Sequence, residues 1–244
     1  MFMSVVGNSP EGDILRELRG VRVLLTGLTS EVGVDIARAF ADVQARLVVQ
    51  TTELTPDITA LVAFLSQTSA EMKLYTDAIS TADGAVRFAQ QAQSAFGGLD
   101  AVVNLQTITR AEMSALARDG DLERLIALKL SPLTHITRVA ANRMRVILSE
   151  GMILNVLTMP RPTDAREAAV AGYAHTALAA MTRGESELWA DQAVRINAVG
   201  PLNAGMPSSG AKLTNEPDIA ALALYLASRR GKRLSGHVFD AEAR

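Results

Sequence analysis

Two glycines and a glutamate near the start of the chain have the spacing of a phosphate-binding turn. Residues 21–33 read Val-Arg-Val-Leu-Leu-Thr-Gly-Leu-Thr-Ser-Glu-Val-Gly, which predicts a buried strand, a glycine turn and a helix, the dinucleotide-binding layout. Gly27 permits the tight bend, and Gly33 lets the helix pack closely on the strand. Glu31 takes the place of the middle glycine, where it adds bulk and negative charge beside the diphosphate position. The two glycines therefore indicate a dinucleotide-binding fold, whereas Glu31 argues against the binding of a dinucleotide.

The three histidines are the side chains best suited to proton transfer near neutral pH. His175 lies in a helical segment and is a candidate general base, because imidazole is the side chain best suited to exchange protons near neutral pH. A hydrogen-bonded core or interface histidine fits the same pattern. His135 and His237 lie in unrelated segments without a carboxylate at ligand spacing, so we predict no metal site. The chain has no cysteine, which excludes disulfides and thiolate chemistry.

Composition limits the class of protein further. The chain has 244 residues and a formal net charge of −2, with a pI near 6.0, and its length suits one α/β domain. Lysine and arginine are scattered without a basic stripe, so we expect no nucleic-acid partner. No apolar run reaches the length of a membrane span, and residues 1–13 lack the features of a signal peptide. We therefore expect no membrane association and a cytoplasmic location.

Short aliphatic runs alternate with stretches of helical period, which is typical of βα units. Strands are predicted at 21–26, 46–50, 72–76, 99–104, 152–156, 195–199 and 237–239. Helices are predicted near 32–44, 56–67, 82–96, 111–148, 164–188 and 216–229. Right-handed crossovers then give an α/β fold: a single doubly wound Rossmann domain over residues 18–244, with a seven-stranded parallel sheet and helices on both faces. Residues 1–17 are predicted to be a flexible N-terminal arm.

Further landmarks follow in a fixed order along the chain. They are Leu18-Arg-Gly-Val-Arg-Val-Leu-Leu-Thr-Gly27, Asp77-Ala78, Phe96-Gly-Gly-Leu-Asp-Ala-Val-Val-Asn104, Arg195-Ile-Asn-Ala-Val-Gly-Pro201, Glu216-Pro-Asp-Ile-Ala220, Leu226-Ala-Ser228 and Ser235-Gly-His-Val238. Together they resemble the short-chain dehydrogenase/reductase family, and 3-oxoacyl carrier-protein reductases in particular. The resemblance covers about residues 18–244.

The resemblance implies a hydride transfer between a nicotinamide and a carbonyl or alcohol. Members of that family use a Tyr as proton donor, a Lys that lowers its pKa, a Ser that orients the substrate and an Asn that supports a water relay. Thr158 falls at the Ser position and keeps the hydroxyl. Lys129 falls at the Asn position, where a cation cannot both donate and accept hydrogen bonds as an amide does.

Two registers of the long helix near residues 164–188 remain open for the Tyr and Lys positions. Counting back from residues 181–183 without gaps puts Ala171 at the Tyr position and His175 at the Lys position. A slipped register makes Tyr173 the acid, with Ala177 four residues further on. Two residues are about 200° apart around a helix, so the two registers face opposite sides. The candidate catalytic residues are Thr158, Tyr173 and His175.

The same resemblance implies NAD or NADP as cofactor. The candidate cofactor-binding residues are Gly27, Thr29, Ser30, Val32, Gly33, Asp77, Ala78 and Asn104. Residues 50–52, Gln-Thr-Thr, offer neither an acid for a ribose hydroxyl nor an arginine for a 2′-phosphate. These residues therefore do not indicate whether NAD or NADP is preferred.

Three functions are compatible with this pattern. The first is a catalytically impaired subunit of an oxidoreductase assembly, forming a homo- or hetero-oligomer with a related reductase subunit. The second is an active NAD(P)-dependent oxidoreductase that reduces a ketone or 3-oxoacyl substrate with a non-standard site. The third is a sensor that binds nucleotide without turnover.

Overall fold

A seven-stranded parallel sheet forms the centre of the protein. The computed structural model describes residues 10–118, 120–202 and 212–242. The strands are β1 (Arg22–Thr26), β2 (Arg46–Gln50), β3 (Glu71–Tyr75), β4 (Ala101–Thr107), β5 (Gly151–Thr158), β6 (Val194–Pro201) and β7 (Val238–Ala241). Their order across the sheet is β3-β2-β1-β4-β5-β6-β7, and every neighbouring pair is parallel. The predicted fold class is confirmed.

Helices cover both faces of this sheet. They are α1 (Pro10–Glu17), α2 (Val34–Asp42), α3 (Pro56–Thr68), α4 (Ala82–Ser94), α5 (Arg110–Ser114), α6 (Asp121–Val146), α7 (Ala165–Trp189) and α8 (Glu216–Ala227). Alternate residues of β1 enter different clusters: Val23 and Leu25 pack with α2, α3 and α8, whereas Leu24 packs with α4 and α6. Both faces are therefore apolar, as expected for the near-continuous hydrophobic strands of a parallel sheet. None of the described helices is long and apolar enough to cross a bilayer.

The strand order reverses direction between β1 and β4. These two strands are paired in register, with Thr26 opposite Asn104 at their carboxyl ends. In open α/β sheets, ligands bind in the crevice outside the carboxyl ends of the strands at such a reversal. The turn after β1 and the residues that end β4 therefore border the expected ligand-binding crevice.

The helix predicted over residues 111–148 is wrong as a single element. The chain forms α5 and α6 instead, and Gly120 stands at the N-cap of α6 with a left-handed φ of 83°. The Asp121 carboxylate accepts hydrogen bonds from the backbone N–H groups of Ala117 (3.1 Å) and Arg118 (2.8 Å). This local capping stabilises the break between the two helices.

The predicted N-terminal arm is partly helical. Residues 10–17 of the segment form α1, and Ile14 packs against the core beside the buried Leu18. Residues 1–9 of the predicted arm lie outside the described residues. The packed part of the chain therefore includes Ile14, before the predicted start of the domain at residue 18.

Candidate functional site

Both glycines of the turn after β1 have left-handed backbone angles and close neighbours. A Cβ on Gly27, which has a φ of 74°, would lie 2.2 Å from the carbonyl oxygen of Leu105. A Cβ on Gly33, which has a φ of 92°, would lie 2.3 Å from Cδ1 of the same leucine. Such distances exclude any side chain unless Leu105 moves. The turn and the end of β4 are therefore packed directly against each other.

The backbone N–H groups of Gly27 to Val32 in this turn have acceptors within the protein. Gly27 donates to Gln50 Oε1 at 2.8 Å, and Leu28 donates to the Gln50 carbonyl at 3.1 Å. Ser30 donates to Glu53 Oε2 at 2.8 Å. Within the turn, Thr29 donates to the Val32 carbonyl at 3.0 Å, and Glu31 (3.3 Å) and Val32 (2.9 Å) both donate to Thr29 Oγ1. A phosphate-binding turn instead directs such groups at its ligand. In this chain, Gly27, Leu28 and Ser30 donate to Gln50 or Glu53, and the other three N–H groups donate within the turn itself.

A buried carboxylate lies at the first turn of α2. Glu216, the first residue of α8, is 5% exposed, and its Oε1 accepts a hydrogen bond of 2.8 Å from the Asp35 N–H. The N-terminus of a helix carries partial positive charge and favours an anion. Glu216 supplies that anion from a residue 181 positions away in the sequence.

Gln50 joins the ends of three strands. Its side-chain oxygen accepts from Gly27, and its Nε2 donates to the carbonyl of Asp77 at 2.8 Å. The side chain thereby spans from the turn after β1 to the residues after β3. Gln50 is buried, whereas Asp77 and Ala78 are exposed.

Two cavities flank Leu105. A cleft of about 500 Å³ includes Gly27, Gln50, Ala78 and Lys129 in its lining. The second cavity, bounded by α2, the end of β5 and the start of α8, has a volume of about 30 Å³. A volume of this size holds one or two water molecules. Leu105 therefore divides the crevice at the strand reversal into two parts. The part beside Gln50 is open, and the part between α2, β5 and α8 is nearly filled.

A network of buried polar side chains joins β1, β4, β5 and α6. Thr26 Oγ1 donates to Asn104 Oδ1 (3.1 Å), and Asn104 Nδ2 donates to Asn155 Oδ1 (2.9 Å), which also accepts from Thr137 Oγ1 (3.2 Å). All four side chains are buried, and Nδ2 of Asn155 has no hydrogen-bond partner. Asn104 therefore ties β1, β4 and β5 together through its side chain.

Helix α7 presents different residues to the interior and to solvent. Ala171 is 2% exposed and lines a cleft of about 470 Å³ with Arg161, Leu202 and Glu242. Tyr173, two residues further on, is 43% exposed. The structure thus places Ala171 toward the protein interior and Tyr173 toward solvent.

His175 faces β6 and β7. Its Nδ1 lies 3.1 Å from the carbonyl oxygen of Pro201 and 3.5 Å from Asp240 Oδ1. The carbonyl can only accept, so Nδ1 carries the proton in this contact. Thr158 makes a separate contact at the end of β5, where its Oγ1 is 2.9 Å from Thr107 Oγ1. His175 and Thr158 thus contact different residues, and Tyr173 lies toward solvent.

Lys129 forms an ion pair between α6 and α5. Its Nζ lies 2.7 Å from Glu112 Oε1, and the lysine side chain is largely buried. Burial raises the pKa of Glu112, but hydrogen bonds from Lys129 and from the Thr109 backbone outweigh it, so the pKa lies below its ordinary value. The ammonium is therefore held by a carboxylate.

The sequence model described as short chain dehydrogenase matches residues 22–214. The chain belongs to this family. The resemblance expected from the sequence motifs is confirmed, and the protein is a short-chain dehydrogenase relative by descent and by fold. A comparison with curated proteins finds no match.

Solved structures of other short-chain dehydrogenases have the same fold. A hydroxysteroid dehydrogenase from Escherichia coli is 21% identical with a TM-score of 0.74, and the alignment covers 95% of this chain and 99% of that one. A short-chain type dehydrogenase/reductase from Mycobacterium marinum is 16% identical with a TM-score of 0.74, covering 94% and 96% of the two chains. The enzyme from Serratia marcescens BCRC 10948 is 19% identical with a TM-score of 0.72, covering 93% and 98%. At these identities the likeness establishes the fold.

Short-chain dehydrogenases typically bind NAD or NADP, and the turn of this chain does not fit the diphosphate of such a cofactor. The donors from Gly27 to Val32 are taken, and Glu53 and Glu216 place carboxylates against the turn and α2. Leu105 fills the crevice against Gly33. The N–H groups from Gly27 to Val32 are thus satisfied within the protein, and two carboxylates stand where the diphosphate of a cofactor would bind.

The predicted cofactor-binding residues lie together at the carboxyl edge of the sheet. They are Gly27, Thr29, Ser30, Val32, Gly33, Asp77, Ala78 and Asn104, after or at the ends of β1, β3 and β4. Several have internal roles: Thr29 accepts from its own turn, Ser30 donates to Glu53, and Asn104 belongs to the buried network.

Sequence reasoning missed the residues that fill this edge. Leu105 carried a signal, since residues 104–107, Asn-Leu-Gln-Thr, stand where the family has Asn-Asn-Ala-Gly. Gln50, Glu53 and Glu216 carried none, because their contacts depend on side-chain reach and on distant parts of the chain. Within residues 10–118, 120–202 and 212–242, no three His, Asp or Glu side chains converge as a metal site requires.

Proposed function

We propose that this chain is a catalytically impaired short-chain dehydrogenase that serves as a binding or structural subunit of an oxidoreductase assembly. The observation that carries the proposal is the inward position of Ala171 on α7. In the ungapped register this residue stands where the family has its proton-donating tyrosine. A methyl group has no proton to give, so reduction of a carbonyl lacks its acid.

The neighbouring positions support the same conclusion. His175 replaces the lysine of the family, and its Nδ1 is directed at the Pro201 carbonyl. Lys129 replaces the asparagine and is paired with Glu112. Thr158 retains a hydroxyl, which is a very weak acid without a base or cation to activate it. The proton-delivery residues have thus changed at three of four positions while the fold is intact.

A role as a subunit is supported by the outer surfaces of α6 and α7. In the family these helices form a four-helix interface between subunits, and relatives are commonly oligomeric. Four large apolar side chains on these helices are exposed here, namely Leu128, Val146, Tyr173 and Leu188. A second subunit packed on these helices would cover such side chains. The partner proposed is a related reductase subunit in the cytoplasm.

Co-expression tests the proposal directly. The chain is produced alone and together with a complete short-chain reductase from the same organism, and both samples are analysed by gel filtration and by NAD(P)H-dependent ketone reduction. We expect a mixed oligomer whose activity belongs to the companion. A homo-oligomer indifferent to the companion, or ketone reduction by the isolated chain, contradicts the proposal.

One observation favours a second candidate, an active oxidoreductase with a rearranged site. His175 has the Asp240 carboxylate 3.5 Å from Nδ1, which is the arrangement of an imidazole oriented by an acid. In that case His175 and Thr158 would act on the substrate. NAD(P)H turnover that is lost in His175→Ala and kept in Tyr173→Phe distinguishes this function from the first.

A further inference from the structure

We propose that the carboxylates of Glu53 and Glu216 are built-in substitutes for the cofactor diphosphate, and that they hold the dinucleotide site closed. The inference concerns binding alone and does not depend on the missing proton donor. It assigns a purpose to two acidic residues that are not among the candidate catalytic or cofactor-binding residues. Its consequence is a protein that keeps the nucleotide fold and does not bind NAD or NADP in the manner of its relatives.

The contact of Glu216 is the stronger of the two. A buried carboxylate is stable only when it is well hydrogen-bonded, and Oε1 of Glu216 obtains such a bond from the Asp35 N–H at 2.8 Å. Hydrogen bonds to an ionised acceptor at a helix N-terminus are about twice as strong as neutral ones. A diphosphate would have to displace this carboxylate or accept a like charge beside it.

Glu53 completes the arrangement on the outer side of the turn. Its Oε2 accepts from the Ser30 N–H at 2.8 Å, and its own N–H is fixed by Thr51 Oγ1 at 3.0 Å. The residue follows β2, so its position depends on the sheet and not on the turn itself. Two elements outside the turn, the loop after β2 and α8, therefore each supply an anion.

Packing reinforces the electrostatic closure. Leu105 lies against Gly33 and Leu28, and the cavity beyond it has a volume of about 30 Å³. Glu216 lines this cavity together with Val32 and Thr158. The space between α2, β5 and α8 is thus occupied by side chains of the chain itself.

Chemical rescue tests the role of Glu216. Glu216→Ala leaves the Asp35 N–H and the N-terminus of α2 without this carboxylate, and we expect the unfolding midpoint to fall by roughly 3–12 °C. Acetate or inorganic pyrophosphate at millimolar concentration should then restore part of the loss. Glu242→Ala is the matched control, because Glu242 lines the same cavity and is exposed. The control should show neither the loss nor the rescue.

Titration calorimetry tests the closure itself. The wild-type protein is titrated with NADH, NADPH and inorganic pyrophosphate, and we expect no saturable binding below about 1 mM. The double variant Glu53→Ala/Glu216→Gln retains the shape of the buried side chain and removes both charges, and it should bind pyrophosphate at least tenfold more tightly than wild type. Should Glu216→Ala fail to fold, this double variant carries the test.

The possible results separate this inference from the proposed function. Saturable NADH binding by the wild type without ketone reduction overturns the closure and leaves the impaired subunit standing. Ketone reduction by the wild type overturns both. A double variant that gains no pyrophosphate binding, together with a Glu216→Ala variant that no anion rescues, overturns the role assigned to the two carboxylates.

Discussion

Cδ1 of Leu105 lies 2.3 Å from the position that a Cβ on Gly33 would occupy. The leucine is the residue after Asn104 at the end of β4, and the glycine is the N-cap of α2. Because the two residues fill one space between them, neither can be enlarged alone. The close approach of helix and sheet at this edge depends on the pair.

Replacement of Gly33 by alanine should therefore be costly. We expect about 1–2 kcal/mol from the left-handed backbone and a further 1–3 kcal/mol, roughly, from overpacking against Leu105. Gly97→Ala is the control, because Gly97 has a φ of 75° and nothing within 4 Å of its Cβ position. Urea unfolding of both variants measures the difference.

A double-mutant cycle isolates the packing part of this cost. In a Leu105→Ala background the added methyl of Gly33→Ala has room, so its cost should approach that of Gly97→Ala. The coupling free energy between the two sites should be about 1–3 kcal/mol. Additive effects of the two substitutions would show that the contact does not limit the turn.

The ion pair of Lys129 and Glu112 predicts a pKa change. Lys129→Met removes the side-chain hydrogen bond and the positive charge that lower the pKa of Glu112, while burial continues to raise it. The pKa of Glu112 should therefore rise, as followed by carbon NMR of the carboxyl group. Arg124→Met is the control, since Arg124 pairs with Asp121 on the same helix. An unchanged Glu112 titration in Lys129→Met would refute the pairing.

The contact of Asp100 with Arg22 predicts a pH dependence of stability. Burial raises the pKa of Asp100, but hydrogen bonds from the side chain and backbone of Arg22 outweigh it and lower the pKa. A lowered pKa in the folded state stabilises the protein above the unfolded value of about 3.9, and this contribution is lost as the pH falls through the folded value.

Asp100→Asn should accordingly cost about 1.5–3 kcal/mol at pH 7, with a smaller difference from wild type at pH 3. The exposed Asp191→Asn serves as the comparison and should differ little from wild type at either pH. The free energy of unfolding at the two pH values gives the result. An equal cost of Asp100→Asn at both would mean that its charge does not matter.

His175 and Tyr173 should respond differently to substitution. His175→Ala removes the contact with the Pro201 carbonyl and leaves space beside Gly200, so we expect a loss of about 1–2 kcal/mol. Tyr173→Phe alters an exposed side chain and should stay within about 0.5 kcal/mol of wild type. Thermal unfolding of the two variants checks the inward and outward positions on α7. The reverse order of effects would favour the slipped register.

Much of the fold was predictable because it depends on local pattern. Apolar runs such as residues 46–50 coincide with β2, and the glycine turn lies where its spacing indicated. The opposite directions of Ala171 and Tyr173 follow from the helical period alone. The break between α5 and α6 was missed because Gly120 and Asp121 act through a cap that interrupts an otherwise helical pattern.

The filled site was beyond prediction for a different reason. Glu31 was visible as the wrong residue in the turn. The acceptors that reach the turn and the start of α2 from outside come from the end of β2, the loop after it and α8. These contacts join residues that are 23 to 181 positions apart in the sequence, so they produce no periodic pattern of residue types that a sequence reading could detect. Their contacts depend on the assembled sheet.

The bond between Glu216 and Asp35 also sets a schedule for synthesis. Helix α2 is synthesised before α8, which carries the carboxylate that binds its first turn. A growing chain that has emerged only through β6 already contains the glycine turn, without its acidic cap from α8. During translation, the first turn of α2 therefore lacks the Glu216 carboxylate until α8 has been synthesised.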